Sequence, residues 1–261
     1  MRDAAAAHDR VYELPLTERL RTLLRLEKLF SLVHEARAGR DEASVVTALK
    51  SLIDIFDIVT RIDVRSELVK ELDRIQVVLA ELANQPHVEG SVLDATMTRL
   101  QGLMRSLKQP GYQPGAAIRC NELLAQVRQR VAIPGGLCAF DVPALHHWLH
   151  QDPDLRSAAL EHWWADLAPL EHGCAEVLSL LRSSTLGHTQ SAERGFFQYN
   201  NEGGHPLQLV RVTLAADTDC FPEISGGKHR FTIRFLAQPS TRERPQQVIG
   251  TITFQLQVCW L

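Results

Sequence analysis

Along the first two-thirds of the chain, apolar residues recur at spacings of three, four and seven. Leu16, Leu20, Leu23, Leu24, Phe30 and Val33 form one stripe, with Arg19, Arg21, Arg25 and Lys28 mainly off it. The pattern predicts an amphipathic helix with Pro15 at its start. Asp41 is a good N-cap for a second helix carrying Val45, Leu49, Leu52, Ile53 and Phe56. A third begins near Asp63 and carries Val64, Leu68, Leu72, Ile75, Leu79 and Leu82; Arg65, Glu67, Lys70, Glu71 and Arg74 are expected on its solvated face. Residues 84–90, with Pro86, read as a loop. Ser91 then caps a fourth helix through Leu93, Met97, Leu100, Met104 and Leu107. The stretch QPGYQPG at 109–115 breaks the pattern. Asn121 caps a fifth helix that stops at Pro134-Gly135-Gly136, since proline lacks an N–H and glycine accepts positive φ. Asp141 with Pro143, and Asp152 with Pro153, open a sixth and a seventh; Pro169 opens an eighth that ends near Arg182. Of the Trp163-Trp164 pair, one ring is expected in the core and one at a boundary.

Then the period becomes two. Phe231, Ile233 and Phe235 alternate with Arg230, Thr232 and Arg234, and Ile252, Phe254, Leu256, Val258 and Trp260 alternate with polar neighbours and Cys259. Such alternation marks half-buried antiparallel strands. Residues 195–199 and 207–214 read as further strands, and 200–204 and 225–227 as turns. The fold class is therefore α+β, a helical domain over residues 1–187 and a strand domain over 188–261, with Tyr12-Glu13-Leu14 as a stray strand joining the sheet. Strand parity puts Arg230 and Arg234 on one outward face, about 13 Å apart by strand rise. Lys228 leads in to them. Arg211 is expected beside them if its strand pairs there.

Composition narrows the function. The 261 residues suffice for one large or two modest domains. No apolar run reaches the roughly 18 to 20 residues that span a membrane. Residues 1–10 lack a secretory apolar core and read as a short arm, so a cytoplasmic protein is expected. Five dispersed cysteines suit free thiols in a reducing compartment. The net charge of −3 argues against bulk nucleic-acid binding, and no aromatics interleave the basic residues. His146 and His150 are four apart and share a helix face, the geometry of two metal ligands, so a metal-dependent hydrolase is an alternative reading. No third ligand is apparent, however. Phosphate-loop, dinucleotide and nucleophile-elbow motifs are absent, and no enzymatic activity or cofactor is expected.

Six segments in order carry a resemblance: LPLTERLRTLLRLE at 14–27, VRSELVKELDR at 64–74, VRQRVAIPGG at 127–136, FDVP at 140–143, HHWLH at 146–150 and FPEISGGKHRFTIRF at 221–235. Together they resemble the Z-ring-associated protein D (ZapD) family along nearly the whole chain; the match is loose only around residues 84–115 and in the last dozen. The resemblance implies a helical bundle followed by an antiparallel β-sandwich-like domain, and a homodimer. It further implies binding to the C-terminal tail of FtsZ, the tubulin-like division GTPase, and bundling of its protofilaments at the midcell septum. Neither nucleic acid nor membrane is implied as a partner. Arg25, Arg61, His146, Lys228, Arg230 and Arg234 match family positions for the tail contact, in a groove expected where the two domains meet. Glu122 departs from the family pattern, standing where a basic residue is expected, with Arg119 nearby to compensate.

Overall fold

The structure is a computed structural model that describes residues 9–39, 41–82, 89–203 and 206–260. The expected N-terminal arm falls largely outside the described residues, as does most of the expected loop at 84–90. A single strand leads into the helices and the remaining antiparallel strands follow them, giving an α+β fold. By its internal contacts the chain divides into two compact units, Thr22–Val177 and Met1–Arg21 with Leu178–Leu261.

The helical unit takes most of α1 (Glu18–Ala38), then α2 (Glu42–Arg61), α3 (Val64–Leu82), α4 (Gly90–Leu107), α5 (Ala116–Arg119), α6 (Glu122–Arg130), α7 (Pro143–Leu149), α8 (Pro153–Ala165) and the start of α9 (Ala168–Ser183). Three caps are the expected ones. Asp41 accepts from Ser44 N, Asn121 from Leu124 N and Asp152 from Asp154 N, each satisfying an otherwise orphaned helix donor. Ser91 is not a cap; α4 begins one residue earlier, and the Ser91 hydroxyl donates to the Glu89 carboxylate. The apolar stripes close on one another through Leu26, Phe30, Leu49, Leu52, Ile53, Leu68, Leu72 and Ile75, all buried.

Two expectations fail in this unit. Glu71 and Arg65 do not lie on a solvated face. Glu71 is buried against Arg74, and Arg65 donates to the carbonyls of Leu107 and Tyr112, tying α3 to the loop after α4. An arginine makes this tie because its planar fork satisfies two carbonyls at once. Trp163 and Trp164 are both buried, with Trp164 edge-on to Phe30.

In the other unit, β1 (Arg10–Pro15), β2 (His188–Ala192), β4 (Leu209–Leu214) and β8 (Ile252–Cys259) form one antiparallel sheet in the order β1-β4-β8-β2. A second sheet has the order β3-β6-β5, from β3 (Phe196–Asn200), β5 (Phe221–Gly226) and β6 (Arg230–Ala237), with the short β7 (Gln246–Gln247) also on β6. Their inner faces share one core, in which Phe231, Ile233 and Phe235 meet Val210, Val212, Phe254 and Leu256. This is a sandwich. Pro15 closes β1, paired with Leu209, rather than opening the helix. Thr17 is the residue at that helix entry, accepting from Leu20 N.

Period-two patterning breaks at the end of β8: Cys259 is buried and Trp260 is half-exposed. The outer face of the first sheet is covered here by the end of α9. Gln257 Nε2 donates to the carbonyls of Arg182 and Thr185, both at 2.6 Å. Glu13 accepts from Arg182 through both carboxylate oxygens, at 2.9 and 2.7 Å, and from Arg211 Nε at 2.6 Å. Burial pushes the Glu13 carboxyl up, but the hydrogen bonds and charges of Arg182 and Arg211 outweigh it, and the net shift is downward.

Candidate partner-binding surfaces

On the second sheet, register fixes which side chains face outward. Arg230, Thr232 and Arg234 of β6 face outward, opposite Asn200, Gln198 and Phe196 of β3. On the other side, Arg234 stands opposite Glu223 and forms an ion pair with it. Lys228 and Arg230 are exposed, and among the described residues no carboxylate lies within salt-bridge distance of either. The β5–β6 turn that places them depends on Gly226. A Cβ there would lie 2.5 Å from the Arg230 carbonyl oxygen and 2.4 Å from Phe231 Cα, so no side chain fits without moving backbone.

Arg211 does not join this stripe. Its strand pairs with β1 and β8, not β6, and its guanidinium is held by Glu13 and by Gln257 Oε1 at 2.6 Å. Strand parity was sound, but pairing partner is a long-range property that parity does not fix.

Arg25 and Arg61 come together in the helical unit. They line one cleft of about 660 Å³ between α1 and α2, with Lys28, Leu29, Asp54, Asp57, Ile58 and Ile62. Arg25, Lys28 and Leu29 are spaced i, i+3, i+4; Asp54, Asp57, Ile58 and Arg61 are spaced i, i+3, i+4, i+7. Each set is one helix face. Asp57 accepts from Arg128 Nε at 2.7 Å and lies 3.8 Å from Arg61. The Arg128 guanidinium also sits over the Phe56 ring, 5.1 Å from its centroid. Burial, and then the Asp57 charge, push the Asp54 carboxyl up. Lys28, Asp54 and Asp57 were not singled out as site residues from the sequence. Their signal was the shared spacing with Arg25 and Arg61.

His146 lines a different cleft, of about 370 Å³, with Glu42, Lys50, Cys138 and the 131–137 segment. Its ring contacts that of His150, centroids 4.4 Å apart, while His150 Nδ1 is hydrogen-bonded to the His146 carbonyl. Two imidazoles make at most half a tetrahedral site, and among the described residues no group of three or more His, Cys, Asp or Glu is placed to hold a metal. Glu122 is the first residue of α6, exposed, and accepts from Gln126 at 3.4 Å. An acid there complements the positive end of the helix dipole. Arg119 is exposed nearby in sequence, over the Phe56 ring. Among the described residues, no helix is long and apolar enough to cross a membrane.

The family profile for ZapD, described as cell division protein, matches residues 24–234. A cell division protein ZapD from Methylococcus capsulatus is 38% identical over 251 residues, covering 96% of this chain and 98% of that one. Those from Dechloromonas aromatica and Yersinia pseudotuberculosis are 35% and 36% identical, covering 95% of this chain each and 98% and 97% of theirs. A match of this extent includes both the helices and the second sheet, and on it the chain belongs to the ZapD family of cell division proteins.

Proposed function

We propose that this protein binds the C-terminal tail of FtsZ and, as a homodimer, cross-links FtsZ protofilaments into bundles at the midcell division site. It acts in the cytoplasm, as a binding protein rather than an enzyme. The observation that supports this best is the outward placement of Arg230 and Arg234 on β6, next to Lys228, in a chain of a cell-division family. The strand is anchored from behind by Phe231, Ile233 and Phe235, so the backbone that carries its arginines is fixed before a ligand arrives. Ordering a flexible tail costs entropy, and a single capture is weak. Two captures on aligned filaments make the second nearly intramolecular, which adds about 10²- to 10⁴-fold. Arg25, Arg61 and His146 are assigned to the same partner.

Two measurements test the proposal together. Sedimentation equilibrium gives a mass near twice 29.3 kDa. Low-speed pelleting of FtsZ filaments rises when the protein is added and falls as salt screens the arginines. A strictly monomeric protein, or no added pellet at low salt, overturns it.

A further inference from the structure

The α1–α2 cleft is not simply basic. Its α1 wall presents Arg25 and Lys28, its α2 wall presents Asp54 and Asp57 with Arg61 beyond them, and Leu29, Ile58 and Ile62 lie among them. Asp57 is committed to Arg128 and Arg61. Asp54 is exposed, and no cation among the described residues lies within salt-bridge distance of it. Among the described residues, no carboxylate lies at that distance from Arg25 or Lys28.

We infer that this cleft is specific for a mixed-charge segment of the captured tail: a carboxylate set on Arg25 and Lys28, a short apolar side chain against Leu29 and Ile58, and a Lys or Arg of the tail set on Asp54. Asp54 is thus a specificity residue that selects for a base in the ligand. The inference rests on the proposed tail capture and adds the charge pattern of the tail that fits.

Charge complementarity carries the argument. A cleft built to take anions alone gains nothing from a second carboxylate one helical turn before Asp57. Like charges at i, i+3 repel, and partial desolvation together with the Asp57 charge raises the Asp54 carboxyl. An anionic ligand approaching Arg25 and Lys28 also meets repulsion from Asp54 unless it brings a cation to neutralise it. That repulsion discriminates against uniformly acidic chains, a form of selection by mismatch.

The test is a four-way binding cycle read by fluorescence anisotropy at low salt. One axis is the protein, wild type against Asp54→Asn. The other is the synthetic FtsZ tail peptide, intact against a version with every Lys and Arg replaced by Gln. The expected result is coupling. Removing the peptide's bases weakens wild-type binding by about three- to fivefold and has little effect on Asp54→Asn. Asp54→Asn loses affinity for the intact peptide while gaining for the base-free one. Equal losses in both proteins, or tighter binding of the intact peptide to Asp54→Asn, overturn the inference and leave tail capture standing. No binding of the intact peptide to the wild type overturns both. Asp54→Asn is exposed on a helix, and thermal unfolding shows whether its fold is unchanged.

Discussion

The two cationic surfaces of this protein are built on opposite principles. On β6, strand alternation alone sends Arg230 and Arg234 outward, and the apolar residues between them fill the sandwich core. The backbone ladder, paired on both sides by β3 and β5, fixes where those arginines point. In the α1–α2 cleft, cations come from long side chains on helix surfaces and are interleaved with acids at the same spacing. A strand offers position with little discrimination; a mixed helical cleft offers discrimination with less rigid placement. Counting basic residues misreads both surfaces. Arg234 is already paired with Glu223, and Arg61 already shares Asp57 with Arg128. Arg230, Lys228, Arg25 and Lys28 therefore carry the field that an incoming anion meets first.

The largest effect comes from removing the support of the strand surface. Phe231→Ala empties a site that is 1% exposed and stacked on Tyr199. It costs about 3–5 kcal/mol of folding free energy, measured by denaturant unfolding, and should abolish tail capture at temperatures where the sandwich melts. A smaller loss follows Glu13→Gln. The carboxylate serves two arginines, but both partners remain partly exposed, so the cost is about 1–3 kcal/mol after allowance for solvent screening. Its pH dependence has a definite sign. The folded carboxyl titrates below its unfolded value, so its contribution is present above the ordinary carboxylate range and is lost as pH falls through the folded pKa. The wild type should therefore lose stability on acidification from pH 5 to pH 3 more steeply than Glu13→Gln.

Arg230→Glu sharpens the comparison without touching the core. Its melting temperature stays unchanged while tail affinity falls about tenfold, with a shallower salt dependence. It is a cleaner variant than Arg234→Glu, which would place two glutamates opposite each other across β5 and β6. Smallest is Asp54→Asn. The raised carboxyl costs stability once ionised, so the amide should lift the melting temperature at pH 7 by about 1 °C, and not at pH 3, where the carboxyl is already protonated.

Much of this architecture was legible from local chemistry. Asp41, Asn121 and Asp152 cap their helices because short polar side chains reach N–H groups two or three residues on. The β6 parity, and with it Arg230 and Arg234, followed from period two. What the pattern did not show is set by partners distant in sequence. Strand β5, FPEISG, has no clean alternation and contains a proline, which an edge strand tolerates. Cys259 is buried because Arg182 and Thr185, more than seventy positions earlier, are tied to Gln257 on the same face. Glu71 is buried while its neighbours Lys70 and Asp73 are exposed, a fact of tertiary packing. Arg25 and Arg61 were singled out through family resemblance, whereas Asp54 needed the cleft to be seen.

Bivalent capture of the tail is tested most directly by co-sedimentation with two FtsZ preparations, full-length and lacking the C-terminal tail, polymerised side by side at low salt. This protein is expected to pellet with the full-length filaments and thicken them into bundles visible by electron microscopy, while the tail-less filaments remain single and leave it in the supernatant. Equal bundling of both preparations would contradict the account, and would move the contact onto the filament body.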